Sequence, residues 1–146
     1  MNPKILSKLK EYFIEKKGVL VVYLFGSASG KSHGWKKRPD LDIAVLLDEY
    51  TLNDGSLKQQ CIIWAELVAL LKRDDIDVLI LNTAPLILRH EVIKNGLILF
   101  EKEPSSRIDF EVSSELKFYD FKPYHQLFWE DLVRRIEEGD FGNRKY

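Results

Sequence analysis

At 146 residues, 45% hydrophobic and 31% charged, the chain has the size and composition of one compact soluble domain. A formal net charge of −1 argues against general nucleic-acid binding, which draws on a basic surface, and no run approaches the roughly 18 apolar residues of a membrane span. The single cysteine, Cys61, excludes an internal disulfide and a cysteine-rich zinc site, and its apolar surroundings predict a buried, inert thiol.

Pro3 to Lys17 reads as a helix. Pro3 suits a first turn, Ile5, Leu9, Tyr12 or Phe13, and Lys16 follow helical spacing, and Gly18 stops it. Lys4, Lys8, Lys10 and Glu11 interrupt its apolar positions, so no signal peptide is expected and the chain reads as cytoplasmic. Val19 to Phe25, rich in β-branched and aromatic residues, predicts a strand buried on both faces. It ends in Gly26-Ser27, and twelve residues separate Ser27 from Asp40, among them Gly30, Lys31, Gly34, Lys36, Lys37 and Arg38. Loops of this length are often functional. Leu41 to Leu47 is a second strand, and Asp48 to Gly55 a polar turn or loop.

Leu57, Cys61, Trp64, Val68 and Leu71 recur at helical spacing up to Lys72. Ile62, Ile63, Ala65, Leu67 and Leu70 widen that stripe, which predicts a well-buried helix with Trp64 in the core. Ile76 to Leu81 is a third apolar run, with Asp77 inside it. Pro85 opens a helix over Leu86 to Asn95, closed by Gly96, and Leu97 to Phe100 is a short strand. Arg89 and His90 lie on that helix, and a lone histidine there is not taken as a catalyst. From Pro104 a further helix begins, with Val112, Leu116 and Tyr119 on one face and Pro123 expected to kink or restart it. Phe118, Tyr119, Phe121, Tyr124, Phe128 and Trp129 crowd this segment, and the surplus over core packing predicts a protein-binding surface. Glu137 to Tyr146 is polar and expected to fray.

The chemistry concentrates between Val19 and Leu47. Side chains alternate faces along a strand, so Asp40 and Asp42 point the same way, about 7 Å apart at the backbone, with Leu41 opposite. Carboxylates that close resist joint ionisation unless a cation lies between them, and Mg²⁺ takes one or two carboxylates together with water and substrate phosphate. Gly26 allows a tight corner, and Ser27 offers an amide N–H and a hydroxyl to a phosphate oxygen. Asp77, an acid within an apolar strand, is costly unless paired or metal-bound, and reads either as a third metal carboxylate or as an exposed edge-strand acid. These parts suit transfer of a nucleotide or phosphoryl group.

The order strand, Gly-Ser, polar loop, Asp-x-Asp strand, helix, strand with a third Asp resembles the nucleotidyltransferase superfamily of DNA polymerase beta, and in particular its minimal members (MNT). The likeness runs from Leu24 to Phe100 through L-F-G-S-A-S-G, D-L-D-I-A-V-L-L, D-I-D-V-L-I-L-N-T-A-P and L-R-H-E-V-I-K-N-G. The closing F-Y-D-F-K-P resembles the tails of MNT proteins encoded beside HEPN-domain partners. Two departures stand out: the family has about ten residues where this loop has twelve, and Pro39 replaces the usual Ser before the first Asp.

The resemblance implies an α/β (α+β) fold, a small mixed sheet flanked by helices, with a nucleotidyltransferase domain over residues 1–103 and a helical extension over 104–146. It implies that Gly26 and Ser27 hold the triphosphate of ATP, that Asp40, Asp42 and Asp77 bind two Mg²⁺ ions roughly 4 Å apart, and that Asp77 helps the attacking hydroxyl lose its proton. Lys31 and Arg38, with Lys36 and Lys37, would steer the triphosphate. The implied reaction is transfer of AMP to a tyrosine of a separate HEPN ribonuclease toxin, with this chain as antitoxin and a hetero-oligomer with the toxin as one outcome. Two other functions compete: stoichiometric masking of the toxin without chemistry, and nucleotidyl transfer to a small acceptor such as an aminoglycoside.

Overall fold

A computed structural model of the chain describes residues 1–26 and 40–139. Its strands are β1 (Val19–Phe25), β2 (Leu41–Leu47), β3 (Ile76–Ile80) and β4 (Leu97–Glu101), and its α-helices are α1 (Pro3–Glu15), α2 (Glu49–Asn53), α3 (Ser56–Leu71), α4 (Leu86–Asn95) and α5 (Pro104–Glu137). The strands form one sheet in the order β3-β2-β1-β4, with β1 antiparallel to β2 and β4 and β2 parallel to β3. The expected small mixed sheet flanked by helices is what the chain forms.

Each face of the sheet has its own core. Val22, Leu24, Ile43, Val45, Ile76 and Val78 meet Leu9 and Phe13 of α1 and Ile63 and Leu67 of α3 on one side. Val21, Tyr23, Ala44 and Leu46 meet Val92 of α4 and Phe110 of α5 on the other. The near-continuous apolar runs of β1 and β2 are explained by this arrangement, because both faces of both strands are covered. Polar contacts tie the outer helices in place. Tyr12 of α1 and Lys16 just after it both donate to Glu66 of α3. On the other face, Tyr23 donates from β1 to Glu111 of α5 at 2.7 Å, and burial together with that bond raises its phenol pKa. Tyr23→Phe is therefore expected to cost about 1–2 kcal/mol of stability, read as a lower urea midpoint with an unchanged slope.

Five local expectations change. Asp48 to Gly55 contains α2, because the Asp48 side chain caps it by accepting the Thr51 amide at 2.8 Å. Helix α3 buries only Gln59, Ile63 and Leu67, a stripe at four-residue spacing. It covers a single sheet face: Val68 and Leu71 reach the same core part-buried, while Leu57, Cys61, Trp64 and Leu70 are exposed. Cys61 is exposed, since it lies two residues from each of the buried Gln59 and Ile63 and so off their stripe. Trp64 is 43% exposed; its indole N–H donates to the Ile76 carbonyl at 3.0 Å and so caps the outer edge of β3. Finally, α5 runs through Pro123 as one helix of 34 residues. Pro123 lies on an exposed stretch, where water can satisfy the carbonyl that the missing N–H leaves over.

The first half of α5 is docked. Arg107 bonds Glu101 and Glu111, Ser114 is buried, and Glu115 holds His90, whose ring stacks on Phe118 at 3.8 Å. Beyond Tyr119 the apolar residues Tyr124, Leu127, Phe128, Trp129, Val133 and Ile136 are all exposed. Among the described residues, no helix is long and apolar enough to cross a membrane.

Candidate active site

The face that carries the Val21–Tyr23 core turns acidic at one end. Along β2, Ala44 and Leu46 pack in that core while Leu41, Ile43 and Val45 pack in the opposite one. The two-residue period therefore puts Asp42 on the Ala44 side. Along β3, Ile76, Val78 and Ile80 belong to the opposite core and Leu79 to this one, so Asp77 shares the face of Asp42. The two acids are direct partners in the parallel β2–β3 register, which sets their backbones about 4.8 Å apart. Asp77 is exposed on an edge strand, the placement of the edge-acid reading, and the same placement sets it beside Asp42. Asp40 is the residue before β2 and is half-buried.

The antiparallel register sets Phe25, the last residue of β1, opposite Asp42. Gly26 follows with φ of +62°. A Cβ at Gly26 would lie 2.0 Å from Oδ2 of Asp42, so the carboxylate occupies the space that any side chain here would take. This is a close-approach glycine in the left-handed region, a position for which no other residue is suited. The strand ends are braced from below: the Leu41 amide donates to the Asp75 carbonyl at 2.9 Å, and the buried Arg73 guanidinium grips the Asp75 carboxylate. Arg73 and Asp75 were not anticipated as a brace. The R-D-D sequence gave no sign of which acid would turn inward to the arginine.

The carboxylate oxygens offered by Asp40, Asp42 and Asp77 are the donor type that Mg²⁺ takes, and the missing side chain of Gly26 makes room for the Asp42 carboxylate. The chemistry of the set thus fits the ion. Among the described residues, no three His, Cys, Asp or Glu side chains gather at ligand distance; Asp42 and Asp77 are brought together by register and Asp42 leans toward Gly26. Ser27, Lys31, Lys36, Lys37, Arg38 and Pro39 lie outside the described residues. His90 is engaged between Glu115 and Phe118, and Arg89 donates to the Ala84 and Asn82 carbonyls, so both serve packing of α4.

A sequence model described as "Polymerase beta, Nucleotidyltransferase" matches residues 7–105. The chain belongs to the polymerase beta nucleotidyltransferase family. The family match takes in Gly26, Asp40, Asp42 and Asp77 and ends at the start of α5. Solved structures resemble this nucleotidyltransferase over most of its length. A chain of a toxin–antitoxin crystallised with AMP-PNP is 23% identical with a TM-score of 0.65, the alignment covering 91% of this chain and 99% of that one. A chain of the MntA–HepT toxin–antitoxin is 19% identical with a TM-score of 0.65, covering 90% and 99%. A chain from a tri-AMPylated Shewanella oneidensis HEPN toxin in complex with MNT antitoxin is 21% identical with a TM-score of 0.66, covering 91% and 99%. At these identities the likeness is one of fold. No curated protein matches the sequence.

Proposed function

We propose that this nucleotidyltransferase is the antitoxin of a HEPN/MNT pair and transfers AMP from ATP to a tyrosine of its cognate HEPN toxin in the cytoplasm. The observation that carries the proposal is the register pairing of Asp42 with Asp77 beside a glycine whose missing side chain is replaced by the Asp42 carboxylate. A structural neighbour containing a tri-AMPylated HEPN toxin supports the choice of reaction and acceptor.

Each residue has a part. Asp40, Asp42 and Asp77 would hold Mg²⁺, which when bound supplies positive charge to the attacking and leaving oxygens of an in-line displacement. Gly26 and Ser27 present backbone N–H groups to the triphosphate, and Lys31, Lys36, Lys37 and Arg38 draw it in. Asp77, at the exposed edge of the pair, takes the proton of the attacking hydroxyl. The phenol oxygen forms a bond to the α-phosphorus, the bond from that phosphorus to the α,β-bridging oxygen breaks, and pyrophosphate leaves with the electron pair.

The test is incubation of the protein with ATP, Mg²⁺ and the HEPN-domain chain encoded beside it, read by intact mass. A gain of one or more AMP units on the partner is expected; an unchanged mass with an active partner refutes the reaction. The exposed apolar half of α5 favours direct binding of the toxin as well, with residues 104–146 acting as the binding extension. Tyr119→Ala with Phe128→Ala, both more than half exposed, should weaken partner affinity at least about tenfold, as hot-spot truncations do. An unchanged Kd by calorimetry would remove α5 from the interface.

A further inference from the structure

The free edge of the sheet carries a groove that the proposed reaction has not yet used. It holds about 290 Å³ and is lined by Leu57, Gln60, Cys61 and Trp64 of α3 and by Asp77 and Val78 of β3. Its floor is held rigidly, because Gln60 donates to the Val78 carbonyl at 2.8 Å and Trp64 to the Ile76 carbonyl at 3.0 Å. Both bonds satisfy carbonyls on the outer edge of β3, where no further strand pairs among the described residues. Leu57, Cys61 and Trp64 are exposed along it.

Building on the proposed function, we infer that this groove is the acceptor site and takes the aromatic side chain of a tyrosine from the partner chain. Three features select that occupant. The volume lies just under the ~300–1,000 Å³ of ordinary ligand pockets, which is room for one side chain and not for a nucleotide. The walls are an indole, a leucine and a thiol, suited to the face of a ring; a serine would leave them unfilled. Among the described residues of the lining Asp77 alone is charged, whereas a polycationic aminoglycoside calls for several acids. A ring lying against Trp64 and Leu57 directs its hydroxyl to Asp77 at the outer edge of the sheet, and Asp77 is the register partner of Asp42. The phenol then gives its proton to Asp77 as its oxygen bonds to the α-phosphorus of ATP and pyrophosphate departs.

Leu57 is 72% exposed, so Leu57→Arg blocks the groove with little effect on stability. Alkylation of Cys61, the one cysteine in the chain, with N-ethylmaleimide blocks it by a different route. Both proteins are compared with wild type for AMP transfer to the neighbouring HEPN-domain chain and for ATP binding by calorimetry. The expected result is at least a tenfold loss of transfer for the blocked proteins, with ATP affinity within twofold. Independently of turnover, the HEPN-domain chain should slow Cys61 alkylation when a non-hydrolysable ATP analogue is present. Wild-type transfer by both blocked proteins, or undiminished alkylation, overturns the groove and leaves AMP transfer standing. Absence of transfer by the wild type itself overturns the underlying reaction, and the groove with it.

Discussion

Asp40→Asn with Asp42→Asn should reduce AMP transfer by about 10³-fold or more while leaving the fold intact. Asparagine keeps the shape of each side chain and removes the negative charge that a divalent cation and a developing phosphoryl transition state depend on. Losing a single preorganised electrostatic contact costs on the order of 10²–10³-fold in rate, and here two carboxylates are lost together. The fold should hold because neither acid belongs to a core: Leu41 and Ile43, on the opposite face, supply the packing of β2. Neutralising two neighbouring carboxylates also removes a repulsion, so the thermal midpoint should stay within about 2 °C. The measurement is intact mass of the HEPN-domain partner after incubation with ATP and Mg²⁺, alongside a melting curve. Labelling at the wild-type rate by a well-folded double variant would sink the assignment of these acids. Full neutralisation of the toxin by the same variant, without labelling, would decide for stoichiometric masking.

Much of this architecture is legible in the chain because burial leaves a direct mark on strands. Val19 to Phe25 and Leu41 to Leu47 are apolar on both parities, and both faces are indeed covered. Asp42 and Asp77 stand out because each interrupts such a run, and their shared face follows from parity once β2 and β3 are neighbours. That neighbourhood is not written in either segment; it comes from the parallel pairing reached through α3. Helix α3 hides its orientation for the opposite reason. With apolar residues nearly all round, the pattern cannot say that Gln59, Ile63 and Leu67 face inward while Cys61 and Trp64 line the sheet edge. The polar Gln59 is buried because it donates to Asp54 at 3.0 Å, a contact between side chains that periodicity does not register. The Arg73–Asp75 brace is missed on the same ground, since three consecutive charges look like a solvated turn.

Gly26→Ala is expected to be nearly as damaging as loss of the acids, though it removes no functional group. Two effects act together. At φ of +62° an alanine is held in the left-handed region, which costs about 1–2 kcal/mol. The added methyl would also meet Oδ2 of Asp42 at 2.0 Å and its Cγ at 3.0 Å, so the carboxylate must swing away or the β1 corner must open. Either movement displaces Asp42 relative to Asp77. A misplacement near 1 Å can cost on the order of 10²-fold in a positioned reaction, and that is the expected loss of AMP transfer. The strain should appear separately as a lower urea midpoint of the free protein. Combining Gly26→Ala with Asp42→Asn isolates the geometric part: if the glycine acts by making room for the carboxylate, the double variant should transfer no more slowly than Asp42→Asn alone. Strictly additive losses would mean that Gly26 contributes through the phosphate-facing backbone, independently of where Asp42 points.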